Sequence, residues 1–228
     1  MSENVYKIEG LSFAYGKRKI LNNIEVSIPS GNCYALLGAN GCGKSTMISI
    51  LSGSRKAHSG KLILPDNSEV KLTSVKRPYS IGYVPQENPL IPTLSGYDNI
   101  LLWYRGSKKD FDNALKSELI QMLGIESYIH RQVSKLSGGM KRRISLAIGL
   151  INSPELLLLD EPSAALDLPC KQEILGYLHT YISKGGTIIL TTHEESELSL
   201  CKKYMILKEG NIVYQEPGIS IQELTAKF

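Results

Sequence analysis

The chain has 228 residues, a formal charge of +4 and a mean hydropathy of -0.10, which suits a sizeable core and excludes a fibre or a disordered chain. The charge is too mild and too scattered for a nucleic-acid surface, and short basic runs such as Lys17-Arg18-Lys19 are ordinarily solvated faces. With no apolar run near the roughly 18 residues of a membrane span, no secretion-signal pattern in Met1-Ser2-Glu3-Asn4 and no CxxC pair among four cysteines, a soluble cytoplasmic domain with reduced thiols is expected.

Apolar and polar residues alternate from Val5 to Tyr15 and again at Ile24, Val26 and Ile28, the period of half-buried strands. The apolar run Cys33-Tyr34-Ala35-Leu36-Leu37 leads into Gly38-Ala39-Asn40-Gly41-Cys42-Gly43-Lys44-Ser45-Thr46 and then Met47-Ile48-Ser49-Ile50-Leu51, which reads as strand, glycine loop and helix. Further strands are expected at residues 61–64 and 81–84. Past Pro92 the spacing turns helical: Leu115, Leu119, Met122 and Leu123 share one face, and Gly124 is placed to end that helix. A second helix is expected over residues 137–151, with Met140, Ile144, Ala147, Ile148 and Ile151 on one side. Residues 88–152 therefore read as a helical insertion into a mixed α/β domain.

Leu156-Leu157-Leu158-Leu159-Asp160 is short and uniformly apolar before its acid, the pattern of a central parallel strand buried on both faces. A helix follows, with Pro169 near its first turn, Ile174, Leu175, Leu178, Tyr181 and Ile182 inward, and Gly185-Gly186 closing it. Residues 187–192 give another buried strand with His193 at its carboxyl end. Residues 204–207 and 212–214 read as a hairpin, and residues 221–228 as a short closing helix.

In open α/β sheets the ligand site lies beyond the carboxyl ends of the strands, so the loops after Leu37, Leu159 and Thr192 are expected to converge. A glycine turn that opens a helix aims N–H groups and the positive dipole end at one point, where a phosphate can sit. Lys44 would reach the β- and γ-phosphates, and the Ser45 hydroxyl would ligate Mg²⁺. Asp160 suits a Mg²⁺ partner opposite Ser45, and Glu161 could polarise a water for in-line attack on the γ-phosphate. On residue chemistry alone His193 stays open between a structural imidazole and one that bonds the γ-phosphate or the attacking water. Gln86 stays open between an ordinary loop glutamine and an amide that contacts Mg²⁺ or water. Leu136-Ser137-Gly138-Gly139-Met140 opens a helix and reads either as a plain N-cap or as a second anion site serving a nucleotide held by another subunit.

Together these motifs resemble the nucleotide-binding subunits of ATP-binding cassette (ABC) transporters over nearly the whole chain. The resemblance implies a P-loop mixed sheet with an N-terminal antiparallel β subdomain and an inserted helical subdomain. It makes residues 38–46 the Walker A loop, Gln86 the Q-loop glutamine and residues 136–140 the signature motif. Residues 156–161 become Walker B with its catalytic glutamate, residues 163–167 the D-loop, and His193 the switch histidine. Tyr15 stands where the family stacks an aromatic on adenine. Met140, Ala165 and Leu168 depart from the family's commonest residues, which implies a slightly altered dimer contact with hydrolysis retained, and Met140-Lys141-Arg142-Arg143 looks most like the drug and polysaccharide exporter branch. Further implications are ATP and Mg²⁺ as ligands, a dimer holding two nucleotides, and integral-membrane permease partners that place the chain on the cytoplasmic face of a membrane. A soluble cassette ATPase driving an assembly process such as iron–sulfur cluster biogenesis is the alternative.

Overall fold

The computed structural model describes residues 4–78, 80–164 and 166–215. Three strands come first: β1 (Val5–Tyr15), β2 (Arg18–Pro29) and β3 (Cys33–Leu37). After the glycine loop come α1 (Lys44–Leu51), β4 (Ser59–Ile63), β5 (Glu69–Lys71) and β6 (Ile81–Val84). Between β6 and the next strand lie α2 (Gly96–Leu101), α3 (Lys108–Leu115), α4 (Glu118–Gln121), a 3₁₀ turn (Val133–Lys135) and α5 (Gly138–Leu150). The chain then alternates: β7 (Leu156–Asp160), α6 (Leu168–Ser183), β8 (Thr187–Thr191), α7 (Glu195–Leu198), β9 (Cys201–Lys208) and β10 (Asn211–Gln215).

Two sheets result. An antiparallel sheet runs β2-β1-β4-β5, and a mixed sheet runs β10-β9-β3-β8-β7-β6, in which only the β10–β9 pair is antiparallel. The four-leucine run pairs with β8 on one side and β6 on the other, so its side chains must alternate between two covered faces. Leu157 and Leu159 enter one core with Ile174, Tyr177 and Leu178 of α6, whereas Leu156 and Leu158 enter a second with Met47, Ile48 and Leu51 of α1. Helix α5 lies against β6 at van der Waals distance because Gly82 has no side chain: a Cβ there would fall 2.2 Å from the Gly149 carbonyl oxygen.

The expected strands and the hairpin are found, the last as β9 and β10 paired from Asn211–Lys208 to Gln215–Tyr204. The single helix expected through Leu115 and Leu123 is instead two short helices. Ser117 adopts ψ 142, which interrupts the α-helical backbone between α3 and α4, and Met122 is consequently 44% exposed while Leu123 is buried. Tyr177, which the helical spacing did not select, is buried in α6. The closing helix expected over residues 221–228 and the D-loop residue Ala165 lie outside the described residues.

Because β3, β8, β7 and β6 are parallel neighbours, their carboxyl ends share one edge of the sheet. That edge carries the glycine loop, Thr191 to His193, Asp160-Glu161 and Gln86.

Candidate active site

Gly43 closes the glycine loop with φ +118, and a Cβ there would meet Ile20 Cγ2 at 2.4 Å, so the loop fits against β2 only with glycine at this position. No side chain caps α1 at Gly43, which leaves first-turn N–H groups for an anionic ligand. Lys44 is buried, and its ammonium donates to the Gly38 carbonyl at 2.7 Å and the Ala39 carbonyl at 3.2 Å. A third donor remains on that nitrogen.

Asp160 ends β7 nearly out of water, and its Oδ1 accepts from Thr191 Oγ1 at 2.5 Å and from Ser45 Oγ at 3.2 Å. Two hydroxyls from different elements thus fix the carboxylate beside the helix start. The next residue, Glu161, takes φ 47, a left-handed conformation that costs a non-glycine residue on the order of 1 kcal/mol or more. The surroundings hold it there: its N–H donates to both the carbonyl and the hydroxyl oxygen of Thr191 at 3.1 Å, and its carbonyl accepts from Arg142 Nη2 at 2.9 Å. The turn leaves the Glu161 carboxylate partly exposed, with Oε2 accepting from Gln86 Nε2 at 2.9 Å and Oε1 3.7 Å from His193 Nε2.

Tyr15, half exposed at the end of β1, completes the opposite side, its hydroxyl 3.4 Å from Thr46 Oγ1. Phe13 meets the Tyr15 ring edge-on at 4.9 Å, and the Arg55 guanidinium lies 5.1 Å from the Tyr15 centroid. The ring is braced rather than free.

A cleft of about 550 Å³ joins these groups, lined by Tyr15, Ile20, Asn40, Gly41, Gly43, Lys44, Ser45, Thr46, Gln86, Glu161 and His193. Of the remaining expected residues, Asp160 stands behind Ser45, Gly38 and Ala39 hold Lys44, and Cys42 packs against the core beneath the loop. Ser137, Gly138 and Gly139 do not line the cleft: Ser137 caps α5, accepting from the Met140 N–H at 3.2 Å. Two residues escaped the sequence reading. Thr191 looked like ordinary strand composition, and Arg142 entered only as part of Met140-Lys141-Arg142-Arg143, a cue to the exporter branch. The helical period offered a signal for Arg142, which shares the buried face of α5 with Ser145, Leu146 and Gly149.

The donor set fits a magnesium nucleotide. Among the described residues no cluster of three or more His, Cys, Asp or Glu side chains could cage a metal alone. Ser45 and Asp160 instead offer the one or two protein oxygens that Mg²⁺ takes when phosphates and waters supply the rest.

A glycine loop opening a helix, a buried carboxylate on a strand two places along the same sheet and a glutamate held at the next position define a P-loop nucleotide hydrolase. Residues 21–164 match the ABC transporter family, and the chain belongs to that family as one of its ATP-binding ATPase subunits. It is 37% identical over 97% of its length to the lantibiotic transport ATP-binding protein SrtF of Streptococcus pyogenes, covering 95% of that protein. It is 36% identical over 94% of its length to the Nod factor export ATP-binding protein I of Rhizobium etli, covering 69% of that protein. The dimeric post-hydrolysis structure of the ATP-binding cassette MJ0796, bound to ADP and Pi, superposes with a TM-score of 0.79 at 26% identity, covering 94% of this chain and 100% of that one. No helix among the described residues is long and apolar enough to cross a membrane.

Proposed function

We propose that this chain is the ATP-hydrolysing subunit of an export system, working as a dimer of cassettes on separate membrane subunits at the cytoplasmic face. The observation that carries the reading is the convergence of Gln86, Glu161 and His193 on the cleft that the glycine loop and Tyr15 also line. Tyr15 stacks on the adenine ring, and Lys44 with the α1 N-terminus binds the phosphates. Ser45 and Asp160 would hold Mg²⁺, which would supply neutralisation of the phosphate charge. Glu161 accepts the proton of a water whose oxygen bonds to the γ-phosphorus as the bond to the β–γ bridging oxygen breaks, giving ADP and phosphate. Gln86 and His193 flank the Glu161 carboxylate and orient that water.

The position of the signature serine supports a dimer. Ser137 opens α5 away from the cleft of its own chain, so it serves a nucleotide held by a second copy. Leu168, 67% exposed directly after the D-loop, suits burial against that copy. For the membrane partner the fitting surface is a cleft of about 570 Å³ beside the Q-loop, where Tyr83, Pro85, Pro89, Trp103 and Ile148 give an apolar lining. A lantibiotic transport relative of matching length and a longer Nod factor export relative support transport, with export as its direction, over a soluble assembly role.

Magnesium-dependent ATP hydrolysis by the purified protein, alone or with copurified membrane subunits, tests the reading. The expected result is turnover that Lys44→Ala abolishes. Copurification with a soluble scaffold and no membrane protein would overturn the transport part.

A further inference from the structure

Arg142 has no part in the chemistry above, yet its side chain is only 3% exposed. A guanidinium carries five N–H donors in one rigid plane. Here Nε donates to the Pro162 carbonyl at 2.6 Å, and Nη1 lies 2.5 Å from the Pro85 carbonyl, 3.3 Å from that of Gln86 and 3.5 Å from Asn88 Oδ1. Nη2 donates to the carbonyls of Glu161 at 2.9 Å and Asp160 at 3.3 Å. One side chain on α5 therefore grips the backbone of two loops: that after β6, which carries Gln86, and that after β7, which carries Glu161.

A buried acid lies on α7. Glu197 is 1% exposed, and neither of its carboxylate oxygens makes a hydrogen bond of normal geometry. Burial pushes its carboxyl up, opposed by the Ser163 and Thr192 hydroxyls and by Arg142. Burial also draws the guanidinium down to about 10, chiefly against the field of Glu197 and then Asp160, so Arg142 remains cationic at neutral pH.

We infer that Arg142 is a positioning residue for hydrolysis, fixing the two backbones from which Gln86 and Glu161 project. The kinetic part of this inference rests on the ATPase reading above. The carbonyl it holds at Glu161 is that of the residue with φ 47, so the left-handed turn is clamped at its N–H by Thr191 and at its carbonyl by Arg142. Helix α5 begins at Ser137, so a nucleotide gripped by that serine acts on the same rigid element that sets the chain's own Gln86 and Glu161.

Arg142→Lys keeps the charge but has three donors on a point, which cannot span both loops. The expected kcat per folded protein falls on the order of tenfold or more while nucleotide affinity changes less than about twofold, because orientation rather than binding is lost. Amide exchange over residues 86–88 and 160–163 should accelerate together, with the glycine loop and central strands unchanged. Arg142→Gln carries the same two measurements should the lysine variant fail to fold, with the same segments loosened. Unchanged kcat and unchanged exchange at both segments would overturn the inference, as would exchange raised uniformly along the chain. If the wild type hydrolyses no ATP, the ATPase reading fails, and the exchange comparison still decides whether Arg142 holds the two loops.

Discussion

The Gln86 side-chain amide donates to the Glu161 carboxylate at 2.9 Å, joining residues 75 positions apart in the chain. Their strands, β6 and β7, are in parallel register from Ile81–Leu156 to Val84–Leu159, so the two loops leave the sheet side by side. The contact orients an otherwise exposed acid toward the glycine loop. If Glu161 is the base, Glu161→Gln should bind ATP normally but lose about 10²- to 10⁴-fold in turnover, the usual share of a general base. Phosphate-release kinetics check this, and wild-type turnover would remove Glu161 from the role.

Thr191 is predicted to be as necessary as the acids it serves. Its hydroxyl donates to Asp160 at 2.5 Å and also accepts from the Glu161 N–H at 3.1 Å. Thr191→Val keeps the shape and removes both bonds, leaving a buried carboxylate short of a donor, a loss of about 1–3 kcal/mol. Urea unfolding should show that destabilisation, and a magnesium titration of ATPase activity should require more metal.

Tyr15 should contribute to affinity through its ring, not its hydroxyl. Stacking of a base on an aromatic side chain is worth about 1–3 kcal/mol. Tyr15→Ala should therefore weaken binding of a fluorescent ATP analogue by roughly 5- to 150-fold, whereas Tyr15→Phe, which loses only the 3.4 Å contact to Thr46, should bind within about twofold.

Gly43→Ala should disable the loop with little warning from the rest of the chain. The added methyl would lie 2.4 Å from Ile20 Cγ2 at φ +118. Strain of about 1–3 kcal/mol is expected, visible as a lowered thermal midpoint together with loss of nucleotide binding.

Most of the fold was legible because its cues are local. Four leucines before an acid announce a strand covered on both faces, and the glycine loop between an apolar run and a helix announces its own geometry. The break between α3 and α4 was not legible: Leu115, Leu119 and Leu123 keep helical spacing, and only the extended backbone of Ser117 parts them. Strand order was equally hidden, since β3 sits between β9 and β8, partners more than 150 residues away in sequence. Arg142 and Thr191 escaped for a related reason. Their partners are backbone groups and carboxylates on distant segments, and a side chain's composition does not reveal which carbonyls it will find.

The central claim is that two copies of this fold close over magnesium nucleotide. Light-scattering mass of Glu161→Gln, with and without saturating MgATP, tests it most directly. The account predicts a shift from one chain to two with nucleotide, reversed when Ser137 is replaced by arginine. A protein that binds MgATP at full occupancy yet stays monomeric would contradict it.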